Sequence, residues 1–176
     1  MDRIPAFVES LSRLDRGALA ELRRSLAFEP AAYPPAYPYV ERHAAHEYER
    51  RWFYLHAGLF ALCAQGRGPV EIEGPGSNQR APTLGSAVAE LHAKREQSSS
   101  IEHRFIALLD ADEDQLPHRL RQMVALLQSE DIRIHWVQLL KDLLAWNHDR
   151  RYVQQRWARE FYRSSVEAGE PAAGEE

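Results

Sequence analysis

The sequence predicts an all-α fold, a compact bundle of about eight helices joined by connectors rich in proline and glycine. Apolar residues recur at helical spacing in almost every segment, no segment alternates as a β-strand would, and prolines and glycines concentrate between segments. With 176 residues, 44% of them hydrophobic, the chain can bury a real core. We predict one helical domain over residues 1–166, with lobes 1–82 and 83–166 as a possible subdivision, and a disordered acidic tail over 167–176.

The first half of the chain opens with two helical segments and then meets prolines. The segment IPAFVESLSRL comes first, and Asp15 is placed to cap a second helix, RGALAELRRSL, by accepting a first-turn amide. Four prolines in EPAAYPPAYPYV predict an extended connector. The segment ERHAAHEYERRWFYLHAGLFALCAQ predicts one or two helices, and its second half, apolar after Trp52, is predicted to be core. Glycines and prolines predict a loop over residues 66–82.

The second half repeats the pattern of a polar helix start followed by an apolar stripe. Thr83 can start the helix LGSAVAELHAKRE. Ser99 and Glu102 have the spacing of a capping box, which predicts the helix IEHRFIALLDA. Asp114 can cap the next helix, whose first turn tolerates Pro117. The segment HWVQLLKDLLAW adds another helix with a wide apolar arc.

The last helix, within NHDRRYVQQRWAREFYRS, combines arginines with aromatic rings. At about 100° per residue, Val153, Trp157 and Phe161 share one side, which we predict to be buried. The opposite side is predicted to be exposed and carries Arg156, Arg159 and Arg163 beside Tyr152. Arg150 and Arg151 are expected in the first turn, where the helix dipole disfavours cations and where free amides would help hold a phosphate.

The net charge of −4 conceals the distribution of charge along the chain. The tail EAGEPAAGEE contains four glutamates, and without them the acidic residues equal the 22 lysines and arginines. Only two of these basic residues are lysines, Lys94 and Lys141. Arginine presents a planar fork that suits phosphate oxygens and stacks on bases, although high-GC coding bias can produce the same preference for arginine. Any basic face must be balanced by acidic residues elsewhere.

No catalytic or metal-binding pattern emerges from the sequence. The HEYER segment lacks the second histidine of HExxH, and the eight histidines form no compact set of three or four ligands. The single cysteine, Cys63, lies in an apolar segment that predicts a buried small side chain. The sequence therefore predicts no enzymatic activity, no metal and no cofactor. Since no apolar run approaches the roughly 20 residues of a membrane span, we expect a cytoplasmic protein that does not enter a membrane.

Three stretches of the chain resemble the CasB small subunit of the type I-E CRISPR surveillance complex, Cascade. They are LDRGALAELRRSL near the start, TLGSAVAEL, and the long stretch SIEHRFIALLDADEDQLPHRLRQMVALLQSEDIRIHWVQLLKDLLAWNHDRRYVQQRWAREFY. Together they cover about half of the chain in the order that the family has.

This resemblance implies a non-catalytic, all-helical subunit that helps hold guide RNA and target DNA and stabilises the opened R-loop. Its implied partners are the crRNA, the target DNA, the backbone and large Cascade subunits, and a second copy of itself. Basic surface residues are implied to contact the nucleic-acid backbone. In the matching segments these are Arg23, Arg24, Arg104, Arg119, Arg121, Lys141, Arg150, Arg151 and Arg156.

Three other interpretations of these arginines remain open at the level of sequence. In the first, they lie on solvated faces with intrahelical ion pairs such as Arg156 with Glu160. In the second, they dock the acidic surfaces of protein partners in a helical scaffold that never touches nucleic acid. In the third, the protein is a helical metal-dependent nuclease, which the absence of a ligand set disfavours.

Overall fold

The computed structural model describes residues 3–64 and 81–167, and within these ranges the chain is entirely helical. It has nine α-helices and two short 3₁₀ turns there, without a β-strand. The helices are α1 Arg3–Ser12, α2 Arg16–Ser25, α3 Tyr37–Val40, α4 Glu47–Cys63, α5 Leu84–Lys94, α6 Ser99–Leu109, α7 Leu116–Ser129, α8 Trp136–Leu144 and α9 Tyr152–Glu167. The prediction of an all-α fold is confirmed. The predicted loop lies almost entirely outside the described residues, and so does nearly all of the predicted acidic tail.

The contacts between helices divide the chain into two compact units. The first unit contains α1 to α4 together with α8, and the second contains α5, α6, α7 and α9. The division does not follow chain order, because α8 packs on α1 and α4 although it lies between α7 and α9 in sequence. None of the helices of the described segments is long and apolar enough to span a membrane.

Two predicted helix caps form and two do not. Asp15 Oδ1 accepts a hydrogen bond from the Ala18 amide at 2.8 Å, and Thr83 Oγ1 accepts one from the Gly85 amide at 3.1 Å. At the start of α7, by contrast, Asp112 and not Asp114 accepts the amides of residues 114 and 115, at 3.0 and 2.8 Å. The α6 helix forms as predicted, but its N-cap position is Ser98, which makes no side-chain cap, so the capping box was wrong.

The proline-rich stretch is more ordered than an extended connector. Pro34–Ala36 forms a 3₁₀ turn that leads directly into α3. Proline is tolerated in the first turn of a helix, where its missing N–H has no partner to lose, so these prolines can lie at helix starts. A second 3₁₀ turn, Glu41–His43, then precedes α4. The segment that follows is therefore one long helix with a short turn before it.

The core of the first unit is built around α4, which is almost entirely buried after Trp52. Gly58 allows close packing against α2, since a Cβ at this position would lie 2.6 Å from Cδ2 of Leu26. The fully buried His56 lies with its Nε2 2.9 Å from the Trp136 carbonyl oxygen, where the ring N–H donates. Burial lowers the pKa of His56 to about 4, against the weaker opposing effect of this hydrogen bond, so the ring is neutral.

Charged groups of the first unit are joined to one another. Arg3 pairs with the buried Glu49 at 2.7 Å. Around Arg50, the guanidinium lies 3.2 Å from Glu47 and 3.0 Å from Glu41, and the Tyr54 hydroxyl donates to Glu41 at 2.5 Å. We call this set, Arg50, Glu41, Glu47 and Tyr54, the Arg50 cluster. The Tyr54 bond, with help from Arg50, lowers the pKa of Glu41, while burial and the Glu41 bond raise the pKa of Tyr54.

The second unit is held chiefly by the packing of α5 on α9. The stripe predicted on α9 is confirmed, because Val153, Trp157 and Phe161 are each fully buried. Gly85 of α5 lies directly against the α9 backbone, and a Cβ on it would be only 2.2 Å from the Trp157 carbonyl oxygen. Glu160 Oε2 accepts hydrogen bonds from the Thr83 amide and hydroxyl and from the Ser86 hydroxyl, at 2.6 to 2.9 Å.

Candidate functional site

The nine basic residues named from the sequence are divided between the two units. Arg23 and Arg24 lie in the last turn of α2, and Lys141 lies in the last turn of α8, all in the first unit. The remaining six lie in the second unit, namely Arg104, Arg119, Arg121, Arg150, Arg151 and Arg156. The second unit therefore carries most of the candidate surface.

Two of these six arginines line one cleft between α6 and α7. The cleft has a volume of about 200 Å³ and is lined by His103, Arg104, Ala107, Arg119, Gln122 and Met123. Residues 103, 104 and 107 face it from α6 because they are one turn apart, and 119, 122 and 123 face it from α7 for the same reason. Arg104 is exposed and Arg119 is half-buried. We call this site the α6–α7 cleft.

Neither arginine of the α6–α7 cleft forms an ion pair within residues 3–64 and 81–167. Two guanidinium groups then share one depression, each with five N–H donors and no acidic partner in the described structure. Such an arrangement suits an anion with several acceptor oxygens, and phosphate and carboxylate groups match the planar fork of arginine.

Other arginines of the set are already engaged by the protein. Arg24 donates to Glu21 at 2.6 Å, although its side chain remains largely exposed. Arg151 donates from Nη2 to the Leu109 carbonyl oxygen at 2.6 Å, at the end of α6. Both can still meet a ligand, but only in competition with these internal partners.

The expectation that Arg150 and Arg151 lie in the first turn of the last helix is wrong. The helix α9 begins at Tyr152, and the two arginines precede it. Arg151 has a positive φ of 47°, because the chain turns sharply there before entering α9. The two cations therefore lie outside the first turn of α9. Their position is no longer an argument for a phosphate-binding role.

The remaining basic residues lie at or near the surface of their own unit. Arg121, Lys141 and Arg150 are exposed, whereas Arg23 and Arg156 are half-buried. On α9, Arg159 and Arg163 are exposed as predicted and Tyr152 is 43% exposed, whereas the prediction that Arg156 is exposed with them was wrong. The Tyr152 ring is packed edge-on against His148, with ring centroids 4.9 Å apart.

The sequence did not identify the residues that give the α6–α7 cleft its shape. His103 and Gln122 stand beside the predicted arginines, and the small side chain of Ala107 leaves space between the helices. The available signal was the spacing of Arg104 and Ala107, a long cation one turn from a small residue. That signal is weak because it does not reveal which helix lies opposite.

Clusters that could hold a metal ion were sought across the structurally described ranges. No group of three or more histidine, cysteine, aspartate or glutamate side chains is close enough together there. The candidate site is the α6–α7 cleft with Arg104 and Arg119 in its lining.

Several known proteins are similar to this chain in both sequence and fold. Residues 18–162 match the family model described as CRISPR-associated protein Cse2. The chain is 44% identical over 165 residues to a CRISPR-associated protein Cse2 of Thermus thermophilus, a match that covers 89% of this chain and 88% of that protein. The crystal structure of M. ruber CasB is 46% identical, with a TM-score of 0.78 and coverage of 95% and 96%.

A more distant likeness concerns the fold alone. A chain from a CRISPR RNA-guided surveillance complex is 24% identical, with a TM-score of 0.77 and 94% of each chain covered. The family match and the close relatives confirm the resemblance seen in the sequence. This chain belongs to the Cse2 family of CRISPR-associated proteins.

Proposed function

We propose that this chain is the non-catalytic small subunit of a cytoplasmic, RNA-guided CRISPR surveillance complex of the Cascade type. It binds the sugar–phosphate backbone of guide RNA and target DNA through surface arginines and stabilises the R-loop. Its partners are the crRNA, the target DNA, the backbone and large subunits, and a second copy of the chain. Membership of the Cse2 family supports the assignment to such a complex.

The observation that carries the nucleic-acid role is the pair Arg104 and Arg119. Both line the α6–α7 cleft, and neither is neutralised by a carboxylate in the described part of the chain. Phosphate contacts position a protein on nucleic acid without reading its sequence, and guide–target pairing supplies the specificity in an RNA-guided complex. A basic cleft that contacts the backbone therefore suits this division of labour.

Modest contacts are sufficient for such a subunit to matter. The exchange of a DNA duplex for an RNA–DNA hybrid is close to balanced in free energy. A few charge-assisted hydrogen bonds, each contributing on the order of 1 to 2 kcal/mol, then decide whether the open state persists. Because the subunit is held in place by protein partners, its weak intrinsic affinity is amplified by a high effective concentration.

The test removes both cleft arginines and compares the result with an equal loss of charge elsewhere. In the assembled complex, Arg104→Ala with Arg119→Ala should weaken target DNA binding by about 30-fold and reduce its salt dependence, since two phosphate contacts are lost. The control is Arg13→Ala with Arg95→Ala, which removes two exposed arginines that pair with Glu9 and Glu130. This control should bind DNA almost as the wild type does.

Two results would count against the proposal. If the cleft variant binds DNA with wild-type affinity and salt dependence, the arginines do not contact phosphates. If the variant fails to enter the complex while the remaining subunits bind DNA normally, the arginines dock a protein partner and the chain is a scaffold.

A further inference from the structure

The α6–α7 cleft has features that a phosphate group does not use. Its lining includes the apolar side chains of Ala107 and Met123, and Met123 is 2% exposed, so it forms a floor. Arg104 and Arg119 stand beside this floor as the charged part of the lining. Phosphate oxygens gain nothing from an apolar floor, because they need hydrogen-bond donors or water on every side. The cleft thus combines cations with a surface suited to a flat, weakly polar ring.

Gln122 adds an acceptor to the same lining. Its amide nitrogen lies 3.0 Å from Nε2 of His118, where an amide N–H can donate to the unprotonated ring nitrogen. This bond orients the amide, and its oxygen accepts no hydrogen bond from any described residue. A phosphate in the cleft presents only acceptors and cannot use that oxygen, whereas the edge of a nucleobase presents N–H groups.

We propose that the α6–α7 cleft binds one unstacked nucleobase of a single strand. The ring lies over Met123 and Ala107, an N–H of its edge donates to Gln122, and the flanking phosphates meet Arg104 and Arg119. Arginine planes and apolar side chains are common partners of splayed bases in single strands. The unpaired DNA strand of an R-loop is the favoured ligand because its bases need not be extruded from a duplex. This inference rests on the proposed function, since it names what the same site binds.

The experiment fills the cleft without changing its charge. The full-length chain is titrated into a single-stranded DNA oligonucleotide containing 2-aminopurine, whose fluorescence rises when it unstacks from its neighbours. Wild-type protein should raise the fluorescence, and Ala107→Leu should abolish the rise and weaken binding about tenfold by occupying the space of the base. Ala125→Leu is the matched control, because Ala125 is an exposed alanine of α7 outside the cleft lining, and it should behave as the wild type does.

A second variant guards against loss of packing at the half-buried Ala107. Gln122 is exposed, so Gln122→Ala should leave the fold intact, lower the affinity for normal single strands by about threefold and leave the affinity for an abasic strand unchanged. The nucleobase inference fails if both cleft variants bind and unstack the strand like the wild type, or if the abasic strand binds wild-type protein as tightly as the normal strand. If Arg104→Ala with Arg119→Ala loses affinity in that case, the proposal that these arginines contact phosphates stands. If the arginine variant also binds like the wild type, the proposed function falls with it.

Discussion

The Arg50 cluster and the α6–α7 cleft use the same residue type for opposite purposes. In the cluster, one guanidinium lies 3.0 Å from Glu41 and 3.2 Å from Glu47, and the Tyr54 hydroxyl donates a further hydrogen bond to Glu41. In the cleft, Arg104 and Arg119 share a depression without a carboxylate partner in the described residues. Arg50 is therefore structural, whereas Arg104 and Arg119 are available to a ligand.

This contrast explains why the overall composition is a poor guide to function. A chain with equal numbers of acidic and basic residues outside its tail can neutralise some arginines completely and leave others exposed in one place. What matters is the local pairing, which is decided by tertiary contacts.

The largest effect is expected where the second unit has no room to adjust. Gly85→Ala should lower the free energy of unfolding by about 3 kcal/mol, because the added Cβ would meet the α9 backbone at 2.2 Å and backbone cannot move aside cheaply. Gly58→Ala in the first unit is the matched variant. Its Cβ would lie 2.6 to 2.8 Å from the Leu26 side chain, which can move aside, and 3.2 Å from the Leu22 carbonyl oxygen. Because the gain in helix propensity offsets part of the strain, we expect a change within about 1 kcal/mol.

Chemical denaturation of both variants measures this difference. Equal destabilisation by the two glycine substitutions would mean that the α5–α9 contact is no tighter than the α2–α4 contact. Gly85→Ala should also weaken the DNA binding that we propose for the α6–α7 cleft, since α5 packs on both α6 and α7.

The next largest effect is expected in the pH dependence of the free energy of unfolding. It involves His56, which is buried in the first unit, and exposed His103 of the α6–α7 cleft serves as the comparison. The folded-state pKa of His56 is about 4, below its ordinary value of 6.5, so the unfolded chain takes up a proton first as the pH falls. The free energy of unfolding should be unaffected by this group above about pH 6.5, fall by about 2 kcal/mol at pH 5, and stop falling below about pH 4. His56→Gln should remove most of this slope, whereas His103→Gln should retain it.

Three other groups must be separated from His56 in that titration. Burial and the nearby Arg42 lower the pKa of His43, so this ring contributes a smaller slope in the same direction. The pKa values of Glu41 and Glu49 are lowered as well, and the stability they contribute is lost only as the pH falls below about 4.5. Denaturation curves between pH 6.5 and pH 5 therefore isolate the histidines. A wild-type slope in His56→Gln would show that another group carries the effect.

The sequence was sufficient for the helices because their signals are local. The buried stripe of Val153, Trp157 and Phe161 follows from a spacing of four residues, and the caps at Asp15 and Thr83 follow from one side chain beside a helix start. These features depend on neighbours within a turn or two. They therefore do not depend on how the rest of the chain packs.

The site was less accessible because its parts are brought together by tertiary packing. Arg104 and Arg119 belong to different helices, and only the packing of α6 on α7 places them at one cleft. Arg151 was misplaced because its positive φ of 47° ends the preceding turn one residue before α9, and nothing in the side chain announces that conformation. Asp112 replaced the predicted cap at Asp114 for a similar reason, since two carboxylates in one loop are equally plausible until the loop is closed.

The smallest effect is expected when arginines of the Arg50 cluster and of the α6–α7 cleft are replaced by alanine. Arg50→Ala should lower the free energy of unfolding by about 1 kcal/mol, because it leaves Glu41 and Glu47 without their shared cation at a site where the arginine side chain is only 25% exposed. Arg104→Ala with Arg119→Ala should change it by less than about 0.5 kcal/mol, since no internal pair is lost and the repulsion between two like charges is relieved. Urea denaturation at low and high salt measures both variants, and added salt should reduce the difference. A loss of 1 kcal/mol or more in the cleft variant would mean that these arginines hold the fold together, and the distinction between structural and available arginines would then fail.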